Sequence, residues 1–208
     1  MLIGSEREKK IFYLYSTSIE RQNLSFYENY FGYFDGTISL NEAKLIARLI
    51  KCLSPNEERP IIALYPIDED RWREISKKNW TTILEKDFER KGWFGCIKKW
   101  KWVVGYTSNL EKFAEILQFS WNISGNETLF VLYADPSSLE FLKHSFKDDF
   151  GDSSENAKEF VKHSPFVINR GHDGLWLEIF STELDSEKLF EILFDLTEGN
   201  VLKKETPL

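Results

Sequence analysis

Five short apolar runs constrain this chain more than any other feature. They are Lys10–Ser16 (KIFYLYS), Pro60–Pro66 (PIIALYP), Lys101–Thr107 (KWVVGYT), Thr128–Ala134 (TLFVLYA) and Leu175–Ser181 (LWLEIFS). Each places an aromatic residue at or next to its end: Tyr15, Tyr65, Tyr106, Tyr133 and Phe180. Runs of this length, rich in β-branched and aromatic residues, are predicted strands. Each is followed by Ser, Thr, Pro or Asp and then by a helical pattern. Strand faces and helix stripes both need an apolar partner, and alternating strands and helices find it when the helices pack on a sheet.

The helix starts are marked by capping chemistry. Ser39-Leu-Asn-Glu42 and Ser108-Asn-Leu-Glu111 have the capping-box form, in which the Ser and Glu side chains satisfy each other's backbone N–H groups. Leu45, Ile46, Leu49 and Ile50 then share one helix face, as do Leu110, Phe113, Ile116 and Leu117. Asp185-Ser186-Glu187 opens a third helix, which carries Leu189, Phe190, Ile192, Leu193 and Leu196. Asp135-Pro136 sets an N-cap before a first-turn proline, and Ser153–His163 has the composition of a short polar helix.

Glu111–Leu117 (EKFAEIL) and Glu187–Leu193 (EKLFEIL) agree at five of seven positions, a candidate duplication of a β-α unit over about 101–120 and 175–194. Phe166–Asn169 (FVIN), the turn Arg170-Gly-His-Asp-Gly174 and the run after it form a predicted antiparallel hairpin. The expected fold is therefore α+β (or α/β): a mixed sheet of about five to seven strands with helices packed on it. No Pro/Gly/Ser-rich linker divides the chain, so residues 1–208 are expected to form a single domain.

Composition excludes several classes. At 42% hydrophobic and 15% aromatic residues, the chain is not a disordered sequence. No run of 18 apolar residues is present, so no membrane span is expected. The start, MLIGSEREKK, lacks the order of a secretory signal, and a cytoplasmic protein is expected. Cys52 and Cys96 fit a reducing compartment as small buried hydrophobes rather than a disulfide.

Catalytic signatures are sparse. There is no Gly-x-Ser-x-Gly, no Gly-x-Gly-x-x-Gly or Walker loop, no Cys-x-x-Cys and no His-Glu-x-x-His. No cofactor and no metal are expected, and a non-enzymatic protein is the leading expectation. His144 and His163 fall on predicted polar helix surfaces. His172-Asp173 in the hairpin loop is the candidate acid-base pair, although Asp-Gly also suits a turn that needs positive φ. Helix N-termini gathered on one sheet edge would bind an anion through free N–H groups. Ser16, Thr17, Thr107, Ser108, Ser181 and Thr182 would line such a site near His172 and Asp173.

Charge carries the functional expectation. Lys86–Trp102 (KDFERKGWFGCIKKWKW) interleaves six basic residues with aromatics, the pattern of a single-strand nucleic-acid binder. Alternation gives a simpler account, a strand with Trp100 and Trp102 on one face and Lys99 and Lys101 on the other. A net charge of −7 also opposes nucleic-acid binding. Residues 1–102 hold 18 basic and 15 acidic side chains, a net of +3, whereas residues 103–208 hold 9 and 19, a net of −10. Such a field draws basic partners, and exposed Tyr and Trp supply contact area at low entropic cost. The candidate partner-binding residues are Asp148, Asp149, Asp152, Glu155, Tyr133 and Trp176. In character, though not through any motif, the chain resembles bacterial immunity proteins. That likeness implies an acidic antitoxin-type protein that neutralises a basic toxin, such as a nuclease.

Overall fold

Apolar side chains from successive strands gather on one side of a single sheet, and helices close over them. The computed structural model describes residues 10–21, 24–32, 36–53, 61–68, 81–91, 97–107, 109–123, 130–133, 158, 161–162, 166–171 and 174–205. Their elements, in chain order, begin with β1 (Phe12–Arg21), β2 (Leu24–Gly32), α1 (Leu40–Leu53) and β3 (Ile61–Asp68). Next come β4 (Thr81–Lys91), β5 (Ile97–Thr107), α2 (Leu110–Ile123) and β6 (Phe130–Tyr133). The series ends with β7 (Phe166–Arg170), β8 (Leu177–Ser181), α3 (Ser186–Leu196) and β9 (Val201–Lys203).

The strands form one sheet in the order β4-β5-β3-β6-β7-β8-β2-β1-β9. Only the β1–β9 pair is parallel among the described ladders; the others are antiparallel. This is the expected mixed sheet with helices packed on it, of the α+β class. Five strands, β1, β2, β7, β8 and β9, are described to their side chains, and β3 to β6 by their backbone pairing. The hairpin expected around residues 170–174 joins β7 to β8 in antiparallel register, with Ile168 opposite Ile179.

The core follows from strand alternation. Phe12 and Leu14 of β1, Phe31 of β2, Phe166 and Ile168 of β7, and Leu177 and Ile179 of β8 all meet the helices. Ile46, Leu49 and Ile50 of α1, Phe113, Leu117 and Trp121 of α2, and Leu189 and Leu193 of α3 face them. α1 lies centrally, touching both α2 and α3; α2 reaches β3 and β5, while α3 reaches β1 and β9. Cys52, expected to be buried, is exposed and free. It sits one turn beyond the exposed Arg48, on the outer face of an amphipathic helix whose inner face is already filled.

Capping largely matches the sequence reading. The Glu42 carboxylate accepts from the Ser39 backbone N–H at 2.7 Å, the Ser39 hydroxyl accepts from the Glu42 N–H at 3.2 Å, and Lys10 also pairs with Glu42. Burial pushes the Glu42 carboxyl up, but hydrogen bonds from Lys10 and Ser39 outweigh it and hold the group below its usual value. At α2 the cap is Asn109 rather than the expected Ser108, its Oδ1 accepting from Glu111 and Lys112 N–H at 3.0 and 3.1 Å. Asp185 does the same for α3, accepting from Glu187 and Lys188 at 3.1 and 2.9 Å. Asn109 and Asp185 are equivalent positions of the sequence repeat, each two residues before its Glu-Lys. The strands before them, β5 and β8, run in the same direction, since four antiparallel steps separate them.

The Asp135-Pro136 cap lies outside the described residues, as does the 153–163 helix except for a helical Lys158 and a turn at 161–162. Among the described residues no helix is long and apolar enough to cross a membrane.

Two substitutions separate core from cap. Phe31→Ala empties a fully buried site and is expected to cost about 3–5 kcal/mol. Asp185→Ala removes one N-cap and is expected to cost about 1 kcal/mol. Urea unfolding midpoints at constant m-value measure both.

Candidate functional site

Alternation that sends Leu14, Phe31, Leu177 and Ile179 to the helices sends their neighbours to the opposite face of the sheet. Two rows cross that face. Tyr15, Tyr30, Glu178 and Asn169 stand at paired positions on β1, β2, β8 and β7. Thr17, Glu28, Phe180 and Val167 form the row beside them. Glu28 and Glu178 are thus diagonal neighbours on adjacent strands, with backbone positions about 7–8 Å apart. Both are buried, at 4% and 8% exposure, and Asn169 beside them is 1% exposed. Buried carboxylates are uncommon because desolvation penalises charge, so their partners define the site.

The Tyr30 hydroxyl donates to Glu28 Oε1 at 2.7 Å, and Lys158 Nζ lies 3.6 Å from the same oxygen. Asn169 Nδ2 donates to Glu178 Oε2 at 2.7 Å, and the Trp176 indole N–H points to Glu178 Oε1 at 3.4 Å, a long contact. Asn169 Oδ1 has no hydrogen-bond donor. Tyr15, Tyr30 and Trp176, all half-buried, form a line of rings above the carboxylates. Tyr15 and Tyr30 have centroids 5.8 Å apart, and Tyr30 meets Trp176 edge-on at 6.3 Å. Phe26 packs edge-on against Phe180 at 6.3 Å, closing the apolar end of the second row.

Lys158 stands beside these carboxylates, and the ionisation of Glu178 and Tyr30 responds to burial and to the nearby charges. Burial raises the Glu178 carboxyl above its usual value, with the nearby Glu28 charge adding to the rise, against the opposing pull of the Asn169 and Trp176 hydrogen bonds and of Lys158. Burial also raises Tyr30, helped by its hydrogen bond to Glu28, so the phenol stays protonated as a donor.

The β7–β8 turn fixes Trp176. Gly171 N–H donates to the Trp176 carbonyl at 2.8 Å, and Gly174 N–H to the Gly171 carbonyl at 2.9 Å. A Cβ on Gly171 would lie 2.2 Å from Trp176 Nε1, so only glycine lets the indole cross the turn. Gly174 has φ +71° and leaves no room for a Cβ beside the Arg170 guanidinium, which stacks over Trp121 with Cζ 5.4 Å from the ring centroid.

Of the residues expected from sequence, Trp176 belongs to this cluster. Tyr133 closes β6, two strands from β8 in the sheet. Asp148, Asp149, Asp152, Glu155, His144, His163, His172 and Asp173 lie outside the described residues.

The converging helix edge does not form as expected. Ser16 and Thr17 lie inside β1, which continues to Arg21 and turns directly into β2. Ser181 uses its hydroxyl to accept from Glu183 and Leu184 N–H at 3.1 and 2.9 Å. The strands feeding α2 and α3 are four strand spacings apart, about 19 Å at 4.8 Å each.

Of Lys86–Trp102, residues 86–91 of β4 and 97–102 of β5 pair antiparallel, in a register that sets Asp87 opposite Lys101 and Glu89 opposite Lys99. The edge strand is β4, and the lysine-rich β5 lies between β4 and β3.

Glu28, Glu178, Tyr30 and Asn169 were not singled out from sequence. The signal was available in the period-two alternation of Phe26, Glu28 and Tyr30, and of Trp176, Glu178 and Phe180, which places each glutamate between two aromatic residues of one strand face. Among the described residues no group of three or more His, Cys, Asp or Glu side chains is placed to hold a metal. An open cleft of about 420 Å³ between α1 and α2 is lined by Asn41, Lys44, Ala47, Arg48, Leu110 and Glu111. Its charges are of both signs, with Lys44 3.9 Å from Glu111. No protein-family model matches the chain, and no curated protein or solved structure is significantly similar to it.

Because the Glu178 carboxyl is raised in the folded state, the native protein holds a proton that the unfolded chain has already released. Stability from this group is full below the ordinary glutamate value and is lost as pH rises through the raised one. Glu178→Gln removes that dependence. The difference in unfolding free energy between wild type and variant is expected to shift in favour of the variant from about pH 4 upward. Urea titrations at steps of pH measure it, and parallel curves at all pH values would contradict it.

Proposed function

We propose that this chain is a non-enzymatic binding protein whose acidic, aromatic surface captures a basic protein partner, in the manner of an immunity or antitoxin protein that neutralises a basic toxin. The observation that supports the reading most is the line of half-buried Tyr15, Tyr30 and Trp176 over the carboxylates of Glu28 and Glu178, on the sheet face opposite the three helices. Aromatic side chains with a polar edge contribute much of the energy in protein interfaces. Carboxylates beneath them select a cation. The net of −10 over residues 103–208 supplies the long-range attraction that speeds capture. Against a nuclease, such a face would stand where phosphates bind, and occlusion of the active site would follow from contact alone. Asp148, Asp149, Asp152 and Glu155 remain in the proposal as candidates for electrostatic steering of the partner.

Affinity capture from native lysate at low and at moderate salt tests the reading. A single basic protein is expected at low salt, with less retained at moderate salt because exposed charge pairs are screened. The Asp148/Asp149/Asp152→Asn triple variant is expected to retain less of it, and the captured protein's own activity is expected to fall on stoichiometric addition of this chain. Retention that ignores both salt and the triple variant would refute electrostatic capture.

A further inference from the structure

We propose that the cleft between α1 and α2 is a binding site for a small phosphomonoester with an apolar body, held through Arg48 and Lys44. The cleft belongs to the helix layer, on the far side of the sheet from Tyr15, Tyr30 and Trp176, and does not depend on the binding function proposed above.

The crossing of two helices makes the cleft. The Gln118 amide donates to the Ile38 carbonyl at 3.4 Å, a long contact, and Lys44 stands 3.9 Å from Glu111. The start of α2 therefore lies beside the middle of α1, and its later turns lie beside the residues just ahead of α1. Ala47, 1% exposed, and the half-buried Leu110 give the cleft an apolar wall. A methyl group at position 47 leaves space that a longer side chain would take. The opening of about 420 Å³ falls within the size range of small-molecule sites.

Charge selects the ligand. Lys44 and Arg48 stand four residues apart on α1, and both border the cleft. Like charges at that spacing repel each other and weaken a helix. α1 carries Lys44, Arg48 and Lys51 against one acid, Glu42, and Glu42 is engaged by Lys10 and by its cap with Ser39. A dianion between Lys44 and Arg48 turns their repulsion into a shared attraction. The first turn of α2 borders the same opening and adds the positive end of its dipole. Its Glu111 and Lys112 N–H groups are bonded to Asn109, so this part is a field and not a set of donors.

Glu111 opposes an anion. Its side chain is 83% exposed, and 3.9 Å to Lys44 is a loose pair, of a kind that contributes little in water. An entering phosphate takes Lys44 from it, and the carboxylate turns to solvent. Arg48 presents a planar fork that matches two phosphate oxygens, and Lys44 adds a point charge for a third. Asn41 brings an amide donor to the same lining. The methylene stems of Lys44 and Arg48 extend the apolar wall of Ala47 and Leu110, which covers the body of the ligand. A monocarboxylate would repeat the charge that Glu111 already offers, whereas two cations match a doubly charged phosphomonoester.

Amide-resolved NMR titration of the full chain with phenyl phosphate tests the site, with benzoate and inorganic phosphate in parallel. Saturable shifts are expected at Asn41, Lys44, Ala47, Arg48, Leu110 and Glu111, with a Kd of about 1 mM. Benzoate and inorganic phosphate are both expected to bind more weakly. Arg48→Gln is expected to weaken phenyl phosphate about tenfold. Glu111→Gln removes the internal competitor and is expected to strengthen it about threefold. Ala47→Leu narrows the cleft without altering charge and is expected to leave phenyl phosphate no tighter than inorganic phosphate. Thermal melts report folding. Arg48 and Glu111 are exposed, and their variants carry the test if Ala47→Leu does not fold.

Shifts spread over the chain, unchanged binding by Arg48→Gln, or weaker binding by Glu111→Gln overturn the site. Inorganic phosphate binding as tightly as phenyl phosphate overturns the apolar body, and benzoate binding as tightly overturns the phosphate.

Discussion

Burial of β2 and β8 on both faces is the constraint on which the rest depends. A central strand in a sheet with helices on one side exposes the other side to water unless something covers it. Here Leu177 and Ile179 meet the helices, while Glu178 and Phe180 are buried on the reverse. An apolar reverse face would need nothing more than packing. This one carries two carboxylates and an asparagine amide, so the energy of the sheet centre is tied to hydrogen bonds, charge and proton occupancy as well as to contact area. Tyr30, Asn169 and Lys158 are where that tie is made.

That arrangement is expensive for a purely structural purpose. Apolar residues of similar volume at 28 and 178 would avoid the desolvation of two charges, and buried ion pairs are often no better than well-packed hydrophobes. The helix side shows that the chain can build such packing, with Phe31, Ile46, Leu49 and Trp121 all sealed from solvent. Within one sheet, then, one face is built for stability and the other holds charge at a cost.

Much of the fold was legible in the sequence because its signals are local. Ser39 and Glu42 cap α1 as their spacing requires, Asp185 caps α3, and Arg170–Gly174 turns β7 into β8. The near-repeat of residues 111–117 and 187–193 also lines up the two caps, Asn109 and Asp185. β2 was harder to read. Glu28 and Asn29 interrupt the apolar pattern of Leu24–Gly32, yet both are buried. Periodicity separates the two faces of a strand, but it does not say that a polar residue on one of them will be covered. The same limit hid the cluster: Glu178 reads as the solvent-facing residue of LWLEIFS until β2 and β7 are placed on either side of it.

What the sequence determined by itself is the alternation of strands and helices, the three capped amphipathic helices, the antiparallel hairpin and the charge asymmetry between the chain's halves. Each depends on residues close in the chain, where φ/ψ preference, capping and periodicity act. Only the tertiary structure decided the strand order, the pairing of β4 with β5 at one edge of the sheet, and the meeting of Tyr15, Tyr30, Glu28, Glu178 and Asn169. Those residues come from four strands spread across more than 160 positions of sequence. Their juxtaposition is set by which strands hydrogen-bond to which, and that choice belongs to the packing of the whole sheet under its helices.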